Sequence, residues 1–99
     1  MTQNYTLRLY IMGHSTSSQQ AIANIKRICK EDLQGRYQLE IIDVLERPQL
    51  AEDEKILATP TLVKELPPPL RRVIGDLSNT KLVLMGLDLL TPAVDSEGI

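Results

Sequence analysis

An α/β domain is the fold class this sequence predicts, and three observations predict it. In YTLRLYIM, Leu7, Leu9 and Ile11 alternate with Thr6, Arg8 and Tyr10, the period of a strand with one buried face. From about Ser18 to Leu33, the residues Ala21, Ile22, Ile25, Ile28, Cys29 and Leu33 recur at helical spacing, with Lys26, Arg27, Lys30 and Glu31 opposite them. Leu39, Ile41, Ile42 and Val44 then read as a second strand within YQLEIIDVL. Strand, helix and strand in that order default to a right-handed parallel crossover.

The junctions support these elements. Gly13 ends the first strand, and the serines and threonine of GHSTSS are suited to capping the next helix. Gly35 is placed to stop that helix. The chain of 99 residues has the size of one domain, and with three Tyr, no Phe and no Trp its core must be built from Leu, Ile and Val. A net charge of -2 with no basic run speaks against nucleic acid, which needs cations to displace counterions and aromatics to stack bases. No apolar run reaches the ~20 residues of a membrane span, and MTQNYT lacks a signal-peptide pattern. The single cysteine, Cys29, makes a reducing cytoplasm the expected location.

The second half supports two readings. RPQLAEDEKILA suits a short helix with Pro48 near its start and acidic residues early. TLVKEL and LRRVIG suit strands joined through Pro67, Pro68 and Pro69, because Thr and Val favour sheets and proline belongs in the connection. Yet Leu62, Leu66, Leu70, Val73, Ile74 and Leu77 also fall at helical spacings, and prolines fit the first turn of a helix starting near Pro68. DLSNTKLVLMGLDLLTP repeats the conflict. Ser78 or Asn79 can cap a helix ending before Pro92, while Leu82-Val83-Leu84-Met85 is a continuous apolar run of the kind buried strands show.

Few residues offer chemistry. The strand–loop–helix–strand start, with Thr59-Pro60 before a strand, suggests a thioredoxin-like arrangement. The loop that would hold a C-x-x-C reads Gly13-His14-Ser15-Thr16-Ser17-Ser18, so dithiol redox chemistry is excluded. Cys29 falls on the apolar helix face, as an inert core thiol. His14 has no Cys/His cluster for a metal, and a neighbouring serine alone is not a catalytic pair. Plain capping is the expected role of the loop serines, and the consecutive Glu52, Asp53 and Glu54 read as a solvated face. Lys64, Arg71 and Arg72 form a small basic cluster beside the prolines.

DVLERPQLAEDEKILATPTLVKELPPPLRRVIGDLS and the following KLVLMGLDLL closely resemble the KaiB family of cyanobacterial circadian clock proteins. The resemblance runs over about residues 5–90, and the combination of LATPTL, LPPP-x-RR-x-IGDLS and GLDLL is specific. It implies a KaiB fold, related to thioredoxin and metamorphic. The resting form, β-α-β-β-α-α-β, is a homotetramer, and the switched form, β-α-β-α-β-β-α, is a thioredoxin-like monomer that binds partners. It implies a single domain over residues 1–94, with a constant half at 5–47, a switchable half at 48–92 and a tail at 95–99. Two packings of one chain coexist only when their free energies differ by a few kcal/mol, and the double periodicity fits that near-degeneracy.

The resemblance further implies a non-enzymatic regulator without a cofactor. The switched form docks on the N-terminal ATPase ring of a KaiC-family ATPase, displaces the sensor kinase SasA, sequesters KaiA so that KaiC phosphorylation declines, and recruits CikA. Partner-binding positions map onto Lys64, Arg71 and Arg72. Fold-switch positions map onto Pro60, Pro67, Pro68, Pro69, Gly86 and Asp88. Slow X-Pro isomerisation is expected to contribute to interconversion. Gly86 and Asp88 are expected to disfavour a helix there, by propensity and by dipole respectively. Alternative readings are a thioredoxin-like oxidoreductase or stress protein with a noncanonical site, and a homo-oligomer outside the core clock.

The first half departs from the family pattern. The usual AGNTPNS reads Met12-Gly13-His14-Ser15-Thr16-Ser17-Ser18, S-x-R-A becomes Ser18-Gln19-Gln20-Ala21, and Glu40 replaces a lysine common in the second strand. Charge reversal on a partner-facing strand changes partner choice. The expectation is a divergent paralogue with its own KaiC homologue, and KaiA binding is the inherited activity these changes affect most.

Overall fold

The computed structural model describes residues 4–89. They form β1 (Tyr5–Ile11), α1 (Thr16–Glu31), β2 (Tyr37–Asp43), α2 (Pro48–Asp53), β3 (Thr61–Leu66), β4 (Arg71–Ile74) and α3 (Thr80–Gly86). The domain end expected at 94, the stretch up to Pro92 and the tail at 95–99 lie outside the described residues.

The strands make one sheet in the order β2-β1-β3-β4. β1 and β2 are parallel, with Leu7 opposite Leu39 and Leu9 opposite Ile41, as a crossover through α1 requires. β3 runs antiparallel to the other side of β1, and β4 antiparallel to β3. The alternation of β1 sorts its side chains between two faces. Tyr5, Leu7, Leu9 and Ile11 join Ala21, Ile25, Ile28 and Cys29 of α1, Leu62 of β3, and Val83 and Leu84 of α3 in the main core. Tyr10 points the other way and packs with Ile42 and Val63 beneath Val44, Leu50 and Ile56. Each fully buried leucine here contributes about 1.5–3 kcal/mol over an exposed one.

α1 begins at Thr16, because Ser15 precedes it in extended conformation and accepts the N–H of Ser18 at 3.2 Å. The chain then reverses through Gln34 and Gly35, both at positive φ. In the second half, residues 61–74 take the strand reading and residues 80–86 the helix reading. The three prolines occupy the connection between β3 and β4, where their missing N–H interrupts no ladder. Asn79 caps α3, its side chain accepting the N–H of Leu82 at 3.1 Å. The Thr59–Pro60, Leu66–Pro67 and Pro68–Pro69 bonds are cis.

One expectation is corrected. α2 carries Pro48 in its first turn but is only six residues long, with no acidic residue in that turn. Glu52 and Asp53 therefore close the helix, the end at which its dipole disfavours negative charge.

α2 and α3 end alike. Lys55 donates its N–H to Glu52 O at 3.0 Å and Ile56 to Ala51 O at 2.9 Å. Asp88 donates to Met85 O at 3.1 Å and Leu89 to Leu84 O at 2.9 Å. Both are Schellman closures, and both put a residue other than glycine at the left-handed position, Lys55 at φ 57° and Asp88 at φ 59°.

Candidate functional site

The β1–α1 loop is fully occupied with structural work. Gly13 N–H donates to Asp43 Oδ1 at 3.1 Å, and Gln19 donates its side-chain N–H to His14 O at 3.1 Å. Ser15 Oγ donates to Ser18 Oγ at 2.8 Å, and Ser18 Oγ accepts the Met12 N–H at 3.2 Å. The serines cap, as the sequence predicts. Cys29 is wholly buried, and burial pushes its thiol up to about 12, so no thiolate forms at neutral pH. Among the described residues no three His, Cys, Asp or Glu side chains converge on a metal position.

The basic cluster divides between the faces of the sheet. Lys64 and Arg71 sit opposite each other on β3 and β4. Lys64 is 1% exposed, on the side of Leu62 and the main core. Burial pushes its ammonium below the usual lysine range, Asp88 pulls it back up, and Arg71 lowers it further. Arg72, one residue on, faces the opposite side. Its guanidinium donates to Glu54 O at 2.6 Å and Lys55 O at 3.1 Å, the carbonyls at the end of α2. The three cations are not one patch.

Gly86 ends α3 where the helix crosses β4. A Cβ built there lies 2.8 Å from Val73 Cγ2, so the bare backbone permits the close approach. Sequence reading assigns Gly86 only a propensity cost, and the contact with Val73 was invisible to it. Asp88 follows in the left-handed closure, within electrostatic reach of Lys64.

Glu40 is paired. Arg8 reaches it at 3.4 Å and Arg47 at 3.3 Å, and Arg8 also lies 3.9 Å from Glu65. The charge that departs from the family pattern is thus compensated by neighbours on β1 and at the N-cap of α2.

A feature the sequence reading missed lies at the end of β2 and along α2. A groove of about 520 Å³ is lined by Met12, Val44, Pro48, Ala51, Ile56 and Leu57. Leu57 is 95% exposed, and Met12 and Leu45 are exposed as well. Exposed apolar side chains beside a concave surface make this groove a candidate contact surface. The available signal was Leu57 itself, an apolar residue outside the register of α2.

Fold and surface together define a thioredoxin-like domain without a dithiol, with an apolar groove beside the end of β1 and along α2. The N-terminal domain of SasA from Synechococcus elongatus superposes with a TM-score of 0.71 at 25% identity, covering 100% of this chain and 91% of that one. Mitochondrial thioredoxin 3 from Saccharomyces cerevisiae gives 0.71 at 17% identity over 89% and 80% of the two chains, a likeness of fold alone. The KaiB domain family matches residues 8–89. The chain is 70% identical to the Circadian clock protein KaiB3 of Synechocystis sp., over 84% of this chain and 81% of that one. It is 56% identical to the Circadian clock oscillator protein KaiB of Microcystis aeruginosa, over 89% and 85%. The chain belongs to the KaiB family, whose members are clock proteins and not enzymes.

Proposed function

We propose that this chain regulates a KaiC-family ATPase by docking on its N-terminal ring in the arrangement described above, reached from a resting homotetramer by repacking residues 48–92. The element order carries the reading. β-α-β-α-β-β-α is the order expected of the partner-binding form, and the sequence predicts both it and an alternative for the second half. The likeness to the SasA N-terminal domain supports competition for one ring surface, since similar backbones can present similar faces. Of the cluster, the exposed Arg71 is the proposed partner contact, and Lys64 is proposed to act from beneath it because it is 1% exposed. Arg72, expected beside them, is engaged by the carbonyls that follow α2. The prolines, Gly86 and Asp88 are the proposed switch positions.

The 70% identity to a KaiB3, against 56% to a KaiB, supports a paralogue working with its own KaiC homologue. Glu40, an acid paired with Arg8 and Arg47 where the resemblance leads one to expect lysine, supports weaker engagement of KaiA, and CikA recruitment goes with the same docked state. Size-exclusion chromatography over a dilution series, with and without KaiC rings in their post-hydrolysis nucleotide state, tests the reading. A tetramer that becomes ring-bound monomer is expected. Failure to associate with any KaiC homologue overturns it.

A further inference from the structure

We propose that Arg72 is a latch: by capping the end of α2 it holds the left-handed joint at Lys55 and so keeps both walls of the apolar groove in place. Its functional consequence rests on the docking reading above, but the latch itself belongs to the free chain.

The carbonyls of Leu50, Ala51 and Glu52 are closed by the N–H groups of Glu54, Ile56 and Lys55. Those of Glu54 and Lys55 lie just beyond the helix without a partner in it, and a cation is favoured beside them. In α2 the need is acute. Six residues give too few internal bonds to hold a helix alone, and Glu52 and Asp53 add negative charge at the wrong end. Arg72 meets it from β4, 18 and 17 residues along the chain from its two acceptors. A guanidinium donates through two fixed N–H groups at once, here to consecutive carbonyls, which a lysine ammonium does not reproduce.

The same carbonyls bracket Lys55, whose φ of 57° is a conformation that glycine adopts freely and lysine resists. Pro48 and Ala51 of the groove lie in α2, and Ile56 and Leu57 lie just beyond the joint. Two hydrogen bonds therefore tie both sides of the groove to the far edge strand. Arg72 is itself exposed, so its removal leaves no cavity in the core.

Hydrogen exchange of the free protein, read at the amides of Glu54, Lys55 and Ile56, tests the latch in Arg72→Ala, Arg72→Lys, Lys55→Gly and the double variant Arg72→Ala/Lys55→Gly. Loss of the charge-assisted bonds is expected to speed exchange about tenfold in both Arg72 variants. Glycine at 55 is expected to slow it about fivefold, returning the double variant to near the wild-type rate. Binding to KaiC rings is expected to weaken in Arg72→Ala and recover in the double variant. Unchanged exchange in Arg72→Ala overturns the proposal, as does weakened binding with unchanged exchange, which marks a direct partner contact. If wild-type protein binds no ring while the exchange pattern holds, the latch stands and the docking reading falls.

Discussion

The two halves of this molecule turn their corners differently. Residues 5–47 use Gly13 and Gly35 at positive φ, with Gln34 beside Gly35. Residues 48–89 place Lys55, Leu77 and Asp88 in the left-handed region, alongside Gly75. A side chain in that region costs roughly 1–2 kcal/mol. The first half thus has glycine at two of its three positive-φ positions, Gln34 being the exception. The second half has a side chain at three of its four, at the end of α2, before α3 and after α3, and relies on packing and on Arg72 to keep them there. Strain gathers in the half whose sequence also reads two ways.

The largest expected effect comes from the half without ambiguity. Leu9 is fully buried in the central strand, so Leu9→Ala should cost about 2–5 kcal/mol in urea unfolding. A small effect would show that the first half is not the common foundation.

The halves also differ in their response to alkali. Cys29 binds its proton more tightly folded than unfolded, so its contribution is intact below pH 9.0 and is lost from there to about pH 12. The slope is at most ~1.4 kcal/mol per pH unit. Cys29→Val should flatten that decline in pH-dependent unfolding.

Lys64, in the second half, has the opposite sign. Its folded pKa is depressed below 10.5, so its burial penalty is full at neutral pH and is relieved as pH rises toward that value. Tyr10, raised by burial, works against it above pH 10. The comparison of wild type with Lys64→Met therefore isolates the lysine. The variant should gain about 1 kcal/mol at pH 7, and the gain should shrink toward pH 10.5. If it also loses ring binding, contact and stability separate at this residue.

The smallest expected effect concerns Gly86. Alanine gains ~1 kcal/mol of helix propensity, but its Cβ meets Val73. Gly86→Ala should therefore stabilise α3 more in a Val73→Ala background than in wild type, measured as a double-mutant cycle. Equal gains in both backgrounds would remove the close approach as a reason for glycine there.

The first half was legible because its signals agree: alternation in β1, helical spacing in α1, Ser15 before the helix and Gly35 after it. The second half offered elements without a decision between them. TLVKEL and LRRVIG carried a helical stripe as well as β propensity, and tertiary pairing with β1 decides what local preference leaves open. The division of Lys64 and Arg71 from Arg72 follows from strand parity, which becomes readable only once 61–66 and 71–74 are known to be strands. The groove depends on α2 stopping at Asp53, a boundary set by Arg72 from a distant strand and by the reversal at Lys55.

The strand order has a mechanical corollary. Because β1 lies between β2 and β3, every sheet hydrogen bond that joins the first half to the second among the described residues belongs to a single seam, the β1–β3 ladder. Opening that seam leaves β1, α1 and β2 joined as they are, with the β1 edge newly bare and apolar side chains uncovered on both faces. Any other home found by residues 48–89 must leave those surfaces sheltered, whether by the same chain refolded or by a sister molecule.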